Sequence, residues 1–420
     1  MRIRNNRAGR RGALSLQLAI IMVPVVFGLM GFALDLGRIY LIRGELNQAA
    51  SAMAVAAASQ LNGTVNGTTS AASAANVLID PSQNVANTYD FGTLIVGQGN
   101  GTTLTATTPA FGFFANLADA GSGGSTADGT TAHYVSVNLS AQAPLLFWSL
   151  FSFGRSNPPS VAALAVAGLS APLCTACDID VFAIAAITAS DLQDFGYTPG
   201  ELYTFYFECT GAAPALLAGT TARVPYALIN GYNTNSAVPE DEQLFETGAQ
   251  GLLPSPYTST SLSCVAVNQA ETLWASATPG TCASGAKTSV EEALCGLSAR
   301  LTSNLATFCQ SNNDLATVSP QYATDTDTAF YDANDYTSYM GNNSRILTVP
   351  VVDALSTLNV QCFRQFLLEP DDASGDANNP ADANGRFIAM YLGVVAPVKQ
   401  GRFDGSCGIA TGPGKVVLQQ

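Results

Sequence analysis

Histidine is almost absent from this sequence, which holds only His133 among 420 residues. Charged residues are also scarce, at 11% of the chain, against about 25% in a typical soluble domain. Zinc sites and general acid–base catalysis most often use histidine. The sequence contains no Gly-x-Ser-x-Gly or His-Glu-x-x-His motif, and Gly412-Pro-Gly-Lys415 lacks the spacing of a phosphate-binding loop. We therefore expect no enzymatic activity, no bound cofactor and no metal.

Cysteine is missing from the first 173 residues, and all nine cysteines lie from Cys174 onward. This shift predicts a separate Cys-containing domain over residues 173–420. The motif Cys174-Thr-Ala-Cys177 has three readings: a redox pair, half of a zinc site, or structural disulfides of an oxidising compartment. A zinc site would need a second pair of ligands, so structural disulfides are the favoured reading. An odd number of cysteines leaves one thiol free or paired between chains.

The charges are divided unevenly along the chain. Residues 1–43 hold seven arginines and one aspartate, whereas residues 45–420 hold ten basic and thirty acidic residues. An acidic body repels phosphate, so we expect no nucleic-acid partner. Two acidic clusters, one around Asp325 and Asp327 and one over residues 371–382, are candidates for calcium sites or for solvated loops. Neither has the spacing of an EF-hand, which favours solvated loops.

Only one long apolar run is present, over the 22 residues from Ala13 to Leu34. About 20 apolar residues suffice to span a bilayer as a helix. Five arginines precede the run, so the positive-inside rule places residues 1–12 in the cytoplasm and the body outside. A cleaved signal peptide is the alternative, but its apolar region should be about 7–15 residues and end in an Ala-x-Ala-like site. An uncleaved anchor is favoured, with membrane lipid as one partner.

Helical spacing of apolar residues continues after the span, from Leu36 to Leu61, and Asn62-Gly63 ends it. The predicted transmembrane and extended helix covers residues 13–60. At about 1.5 Å per residue it would form a rod of roughly 70 Å. Half of that rod should project from the bilayer, with its alanine-rich face free to meet a partner.

The N-terminal segment resembles that of TadG-like proteins of the Tad/Flp pilus-assembly system. The resemblance rests on Arg10-Arg11-Gly12, the apolar span, and the motif GFALDLGRIY from Gly31 to Tyr40. The family pattern is Arg-Arg-Gly, a hydrophobic span, and then G-x-A-x-D-x-G-R-x-Y. The match covers about residues 10–58 and departs from the family at Ser51, usually Asp, and at Met53, usually Ala.

This resemblance implies a membrane-anchored structural or assembly component of a pilus apparatus in the bacterial inner membrane. It implies pilus-assembly or pilin subunits as partners, bound through the N-terminal helix and chiefly through Asp35, Arg38 and Tyr40. One expectation is that Asp35 pairs with Arg38 one turn on or with a positive charge on a neighbouring subunit, and simple interfacial anchoring is the alternative. Cleavage after Gly12, as in minor pilins, is not expected, because the fifth residue after it is a glutamine.

The remaining sequence predicts an α+β protein: a long membrane-spanning helix, a pilin-like α+β module over residues 61–172, and the strand-rich Cys-containing domain. Strands are expected in the first module at 91–96, 133–139 and 145–151, and a strand or short helix at 161–168. In the second domain we expect strands at 202–208, 345–352, 362–368 and 387–395 and helices at 271–275 and 290–309. Two other functions stay open: an envelope thiol–disulfide oxidoreductase using Cys174 and Cys177, and a surface adhesin or binding module. In each case we expect the body of the chain to be periplasmic or extracellular.

Overall fold

The computed structural model describes most of the chain, with gaps between the described ranges. These ranges are 9–78, 109–122, 124, 126–143, 159–177, 179–180, 182–207, 213–229, 245–246, 265–269, 284–303, 309, 324–331, 335–370, 382, 384–393, 396–398, 401–403, 407–409 and 411–419. The strands predicted at 91–96 and 145–151 and the helix predicted at 271–275 lie outside them.

The chain begins with one long helix, α1, from Gly9 to Ala58. Its 50 residues extend about 75 Å at about 1.5 Å per residue. Pro24 lies inside it, a position that a membrane helix tolerates. The segment from Leu16 is long and apolar enough to cross a membrane, and only 6% of its most apolar 18-residue window is buried. The helix is thus compatible with a single-pass membrane anchor.

The second half of α1 packs on a four-stranded antiparallel sheet. The strand order is β1 (Ala110–Phe114), β2 (Tyr134–Gln142), β3 (Ser160–Leu169) and β13 (Val416–Gln419). Two short helices complete this helix–sheet module: α2 (Gly67–Val77) and α3 (Leu117–Ser122). The prediction for 133–139 is confirmed, and residues 161–168 form a strand.

Small residues make the contact between α1 and the sheet close. Side chains alternate along β3, so that Val161, Ala163, Ala165 and Ala167 are buried against the helix. The facing side of α1 is also buried; it consists of Ile42, Leu46, Ala49, Ala50, Met53, Ala54, Ala57 and Ala58. The expectation of a free alanine-rich face is therefore wrong, because the chain's own sheet covers it.

The second module is a closed barrel of six strands in the order β10-β11-β6-β7-β5-β9. The strands are β5 (Phe182–Ala185), β6 (Leu202–Phe207), β7 (Ala222–Leu228), β9 (Ile346–Val352), β10 (Val360–Glu369) and β11 (Phe387–Tyr391). The pairs β6–β7 and β5–β9 are parallel and the others antiparallel. Closure leaves no long free strand edge in this module.

Aromatic rings fill the barrel. Phe182, Phe205 and Phe387 are fully buried, and the rings of Phe205 and Phe387 stack with centroids 4.9 Å apart. The helix α4 (Ser284–Leu301) joins the same core through Leu294 and Leu297. A small sheet, with β4 (Thr175–Ala176) between β12 (Gly401–Arg402) and β8 (Val265–Ala266), lies beside it.

The two modules are joined by more than one connection. After the barrel the chain returns and adds β13 to the edge of β3, which the predicted division at residue 173 does not anticipate. The loop after α1 also binds the barrel module: the Asn62 amide donates to Asn343 at 2.7 Å, and the Tyr336 hydroxyl donates to the carbonyl of Asn62 at 2.7 Å. The α+β class with a long N-terminal helix is confirmed.

Candidate functional site

The first half of α1 is an exposed apolar surface, here called the anchor surface, over residues 16–41. Its large side chains are 40–66% exposed on all sides of the helix: Leu16, Leu18, Ile20, Ile21, Met22, Val23, Val25, Val26, Phe27, Leu29, Met30, Phe32, Leu34, Leu36, Tyr40 and Leu41. A water-soluble protein rarely exposes an apolar patch of this extent. The surface therefore suits lipid or the helices of other membrane proteins.

The three residues predicted for interaction point in different directions. Asp35 is only 6% exposed and lies on the same face as buried Gly31 and Ile42. Arg38 is half-buried, whereas Tyr40 is 66% exposed. Tyr40 alone of the three is fully presented to a partner or to lipid. Gly12 lies in the first turns of α1, which begins at Gly9.

A groove runs along the edge of β3 next to the end of β13. Because β13 pairs only with residues 166–169, the part of β3 from Ser160 to Ala165 has a ladder partner on β2 alone among the described residues. The groove has a volume of about 480 Å³. It is lined by Asn47, Ser51, Leu117, Ala120, Leu164, Ala165, Val166, Leu418 and Gln419. Free strand edges accept extended segments of other chains.

The CxxC cysteines are both oxidised, but not as a pair. Cys174 bonds Cys407, 233 residues away, with the Cα atoms 5.5 Å apart, and Cys177 is also in a disulfide. Cys295 bonds Cys309. Cys362 is the free cysteine of the described region, and burial raises its pKa to about 12, so it is a poor nucleophile.

The predicted solvated loop at Asp325 and Asp327 is instead a buried hydrogen-bond network. Asp325 accepts a hydrogen bond from the Tyr339 hydroxyl at 2.5 Å, and Asp327 accepts one from Tyr331. Arg345, fully buried, donates to the Asp327 carbonyl at 2.7 Å. No cluster of three or more metal-binding side chains occurs within the described ranges. These carboxylates accept hydrogen bonds from side chains of the protein itself. The second acidic cluster, 371–382, lies outside the described residues except for Asp382.

Two contacts between an arginine and a carboxyl group are fully buried in the barrel module. Arg345 Nη2 lies 2.6 Å from Glu369 Oε2, and Arg300 Nη2 lies 2.6 Å from Asp180 Oδ1. Glu369 Oε1 has no hydrogen-bond partner among the residues that the structure describes. Burial therefore raises the pKa of Glu369 to about 8 although Arg345 opposes the shift.

A small cavity of about 70 Å³ lies between β10 and the segment that leads to β13. The guanidinium of Arg364, 4% exposed, donates to the carbonyls of Phe363, Gln193 and Thr411 and to the Thr411 hydroxyl. Its remaining donor, Nε, is buried without a partner. Arg364 thus fixes the returning chain to the barrel, and the cavity has the size of a few water molecules.

The chain matches no family model, no curated protein and no solved structure. The TadG-like resemblance of residues 10–58 therefore stays a prediction from the sequence.

Sequence reasoning missed the groove at β3 and the pairing of β13. A weak signal for β13 exists, since Val416, Val417 and Leu418 form a short apolar run. No sequence pattern predicts the groove, because its position depends on where β13 ends along β3. His133 lies next to β2, where burial lowers its pKa.

Proposed function

We propose that this chain is a membrane-anchored structural component of a Tad/Flp-type pilus apparatus. The first half of α1 lies in the bacterial inner membrane, the N-terminus is cytoplasmic, and both modules stand outside the cytoplasm. One observation carries the proposal: a single continuous helix has an exposed apolar first half and a second half covered by an antiparallel sheet.

The layout of the helix–sheet module supports a pilin-like role. A helix that is apolar on all sides over its first half needs lipid or other helices around it, and its second half already has its own sheet. The GFALDLGRIY motif from Gly31 to Tyr40, which carries the family resemblance, lies at the transition between these halves. Partners would bind the anchor surface and the free edge of β3.

The chemistry of the body supports a structural role over an enzymatic one. The disulfides Cys174–Cys407 and Cys295–Cys309 suit an oxidising compartment such as the periplasm. Cys174 is buried and bonded to a distant cysteine, an arrangement that favours a structural crosslink over a redox-active CxxC pair.

The test uses a charge placed inside the anchor surface. In a bacterium that carries the gene, Val23→Lys should abolish retention in the inner membrane and reduce the amount of surface pili, because a lysine at the centre of a span costs about 2.5–3.5 kcal/mol. Val65→Lys is the matched control, since Val65 is also an exposed apolar residue, at 59%, but lies beyond α1.

Membrane extraction, sheared-fibre yield and co-purification with pilus subunits are measured for both variants. The pilus role is rejected if a strain without this chain makes normal fibres. The anchor is rejected if the Val23→Lys protein stays in the membrane fraction as the control does.

A further inference from the structure

The strand β2 runs back along α1 toward the N-terminal half of the helix. Gly129, which precedes β2, lies so close to the segment after α1 that a side chain there would collide with the backbone of Thr64 and Val65. The first end of β2 is therefore near the C-terminal end of α1. Its last residue, Gln142, pairs with Ser160, the first residue of β3. This β2–β3 end of the sheet is the end nearest the uncharged apolar run over residues 13–34.

The groove between α1 and β3 gives the position of that end along the axis of α1. Asn47 and Ser51 of α1 line the same groove as Ala165 of β3. From Ala165 to Ser160 the strand extends about 17 Å at about 3.4 Å per residue. The helix covers this distance in about 11 residues at about 1.5 Å each. Ser160 and Gln142 are therefore level with roughly residue 38 of α1.

The uncharged apolar run ends at Leu34. Residue 38 lies about 6 Å beyond it along the helix. The polar headgroup region on each side of a bilayer is about 5–7 Å deep. The β2–β3 end of the sheet thus falls at headgroup depth when the uncharged apolar run from Ala13 to Leu34 occupies the hydrocarbon core.

We infer that the β2–β3 end of the sheet, together with Tyr40 and Leu41 of α1, rests on the headgroup surface of the bilayer. The inference deepens the proposed function and depends on its membrane anchor. Tyr40 and Leu41 are 66% and 61% exposed at this level, where tyrosine is typical of membrane proteins. Arg43, also exposed, adds a positive charge that anionic headgroups attract. The helix–sheet module then sits directly on the membrane, and α1 does not act as a free stalk.

The experiment measures the depth of single tryptophans in the full-length protein. Both native tryptophans are replaced (Trp148→Phe, Trp274→Phe), and the probe is Gln142→Trp. Asn138→Trp is the matched control, because Asn138 is exposed on the same face of β2 but lies about 14 Å further from the membrane at about 3.4 Å per residue. The vesicles contain phosphatidylcholine and phosphatidylglycerol, with part of the phosphatidylcholine carrying a headgroup nitroxide.

We expect the nitroxide to quench Gln142→Trp at least about twofold more than Asn138→Trp, because of this difference in depth. Equal quenching in protein that floats with the vesicles would overturn the lipid contact and leave the anchor intact. Failure of the parent protein to float with vesicles would instead overturn the anchor. If Gln142→Trp does not fold, as shown by its unfolding midpoint, Ser160→Trp replaces it with Leu164→Trp as its control, since both residues are exposed on β3.

Discussion

The buried pair of Arg345 and Glu369 should make the stability of the protein depend on pH. Glu369 has a pKa of about 8 in the folded chain, against an ordinary value of 4.5. Between pH 4.5 and pH 8 the Glu369 carboxyl group therefore keeps its proton in the folded state and loses it in the unfolded state. The contribution of Glu369 to the free energy of unfolding is fully present below pH 4.5 and is lost as the pH rises through 8. At about 1.36 kcal/mol per pH unit, the loss between pH 5 and pH 8 is up to about 4 kcal/mol.

The substitution Glu369→Gln tests this reasoning because glutamine resembles the protonated carboxyl group. We expect its unfolding midpoint to change much less between pH 5 and pH 8 than that of the parent, whose midpoint should fall by roughly 8–16 °C at about 2–4 °C per kcal/mol. The unfolding midpoint is followed in detergent by near-ultraviolet circular dichroism, which reports the rings of Tyr331 and Tyr339 around Arg345.

Asp382→Asn is the matched control, because Asp382 forms an ion pair with Arg386 that is partly exposed. Such pairs contribute about 0–1 kcal/mol, and this variant should keep the parent's pH profile. A parent protein with a flat profile between pH 5 and pH 8 would refute the reasoning. So would a Glu369→Gln protein that keeps the whole slope. Burial also raises the pKa of Asp180, so Asp180 contributes to the pH dependence with the same sign, and the variant retains that contribution.

Three further predictions concern the helix, the disulfide and the resemblance motif. Ala50→Leu, at a fully buried position between α1 and the sheet, should destabilise by about 1–3 kcal/mol, and an unchanged unfolding midpoint would contradict this close packing. Replacing Cys174 and Cys407 by alanine should cost about 2–4 kcal/mol, and before reduction a thiol reagent should leave Cys174 unmodified; rapid modification would favour the redox reading. Tyr40→Ala should weaken co-purification with pilus subunits at an unchanged unfolding midpoint, whereas Asp35→Ala should lower that midpoint because Asp35 is buried. If instead Asp35→Ala weakened co-purification and Tyr40→Ala lowered the unfolding midpoint, Asp35 and not Tyr40 would contact the partner.

The long helix was predictable because its signals are local. A charge-free run, a continuing helical period and Asn62-Gly63 place it at 13–60, and the structure has it at Gly9–Ala58. The alanine-rich face of the second half of the helix was also predictable, and the structure buries that face. What covers that face could not be read, because β3 lies about a hundred residues further along the chain.

In the barrel, too, the contacts between distant parts of the chain could not be predicted from local sequence patterns. Most of its strands were found, since buried strands such as Ile346–Val352 form clear apolar runs. Their order was not, because the parallel pairing of β5 with β9 joins Ile184 to Val351. Disulfide connectivity is equally nonlocal: Cys177 lies three residues from Cys174, yet Cys174 bonds Cys407. The acidic residues near 325 were interpreted as a solvated loop because nothing local shows that Arg345 and Tyr339 surround them.

The return of the chain to the first sheet has a mechanical consequence. The barrel is inserted between β3 and β13, which leave the sheet at the same end, where Leu169 pairs with Val416. A force that pulls the barrel away from the helix–sheet module would draw both strands in one direction, so they would not slide past each other. The load would pass to the ladder of nine residue pairs between β2 and β3 and act along its whole length. Two covalent tethers that share one load in this way suit a part that must hold the barrel module against a pulling force.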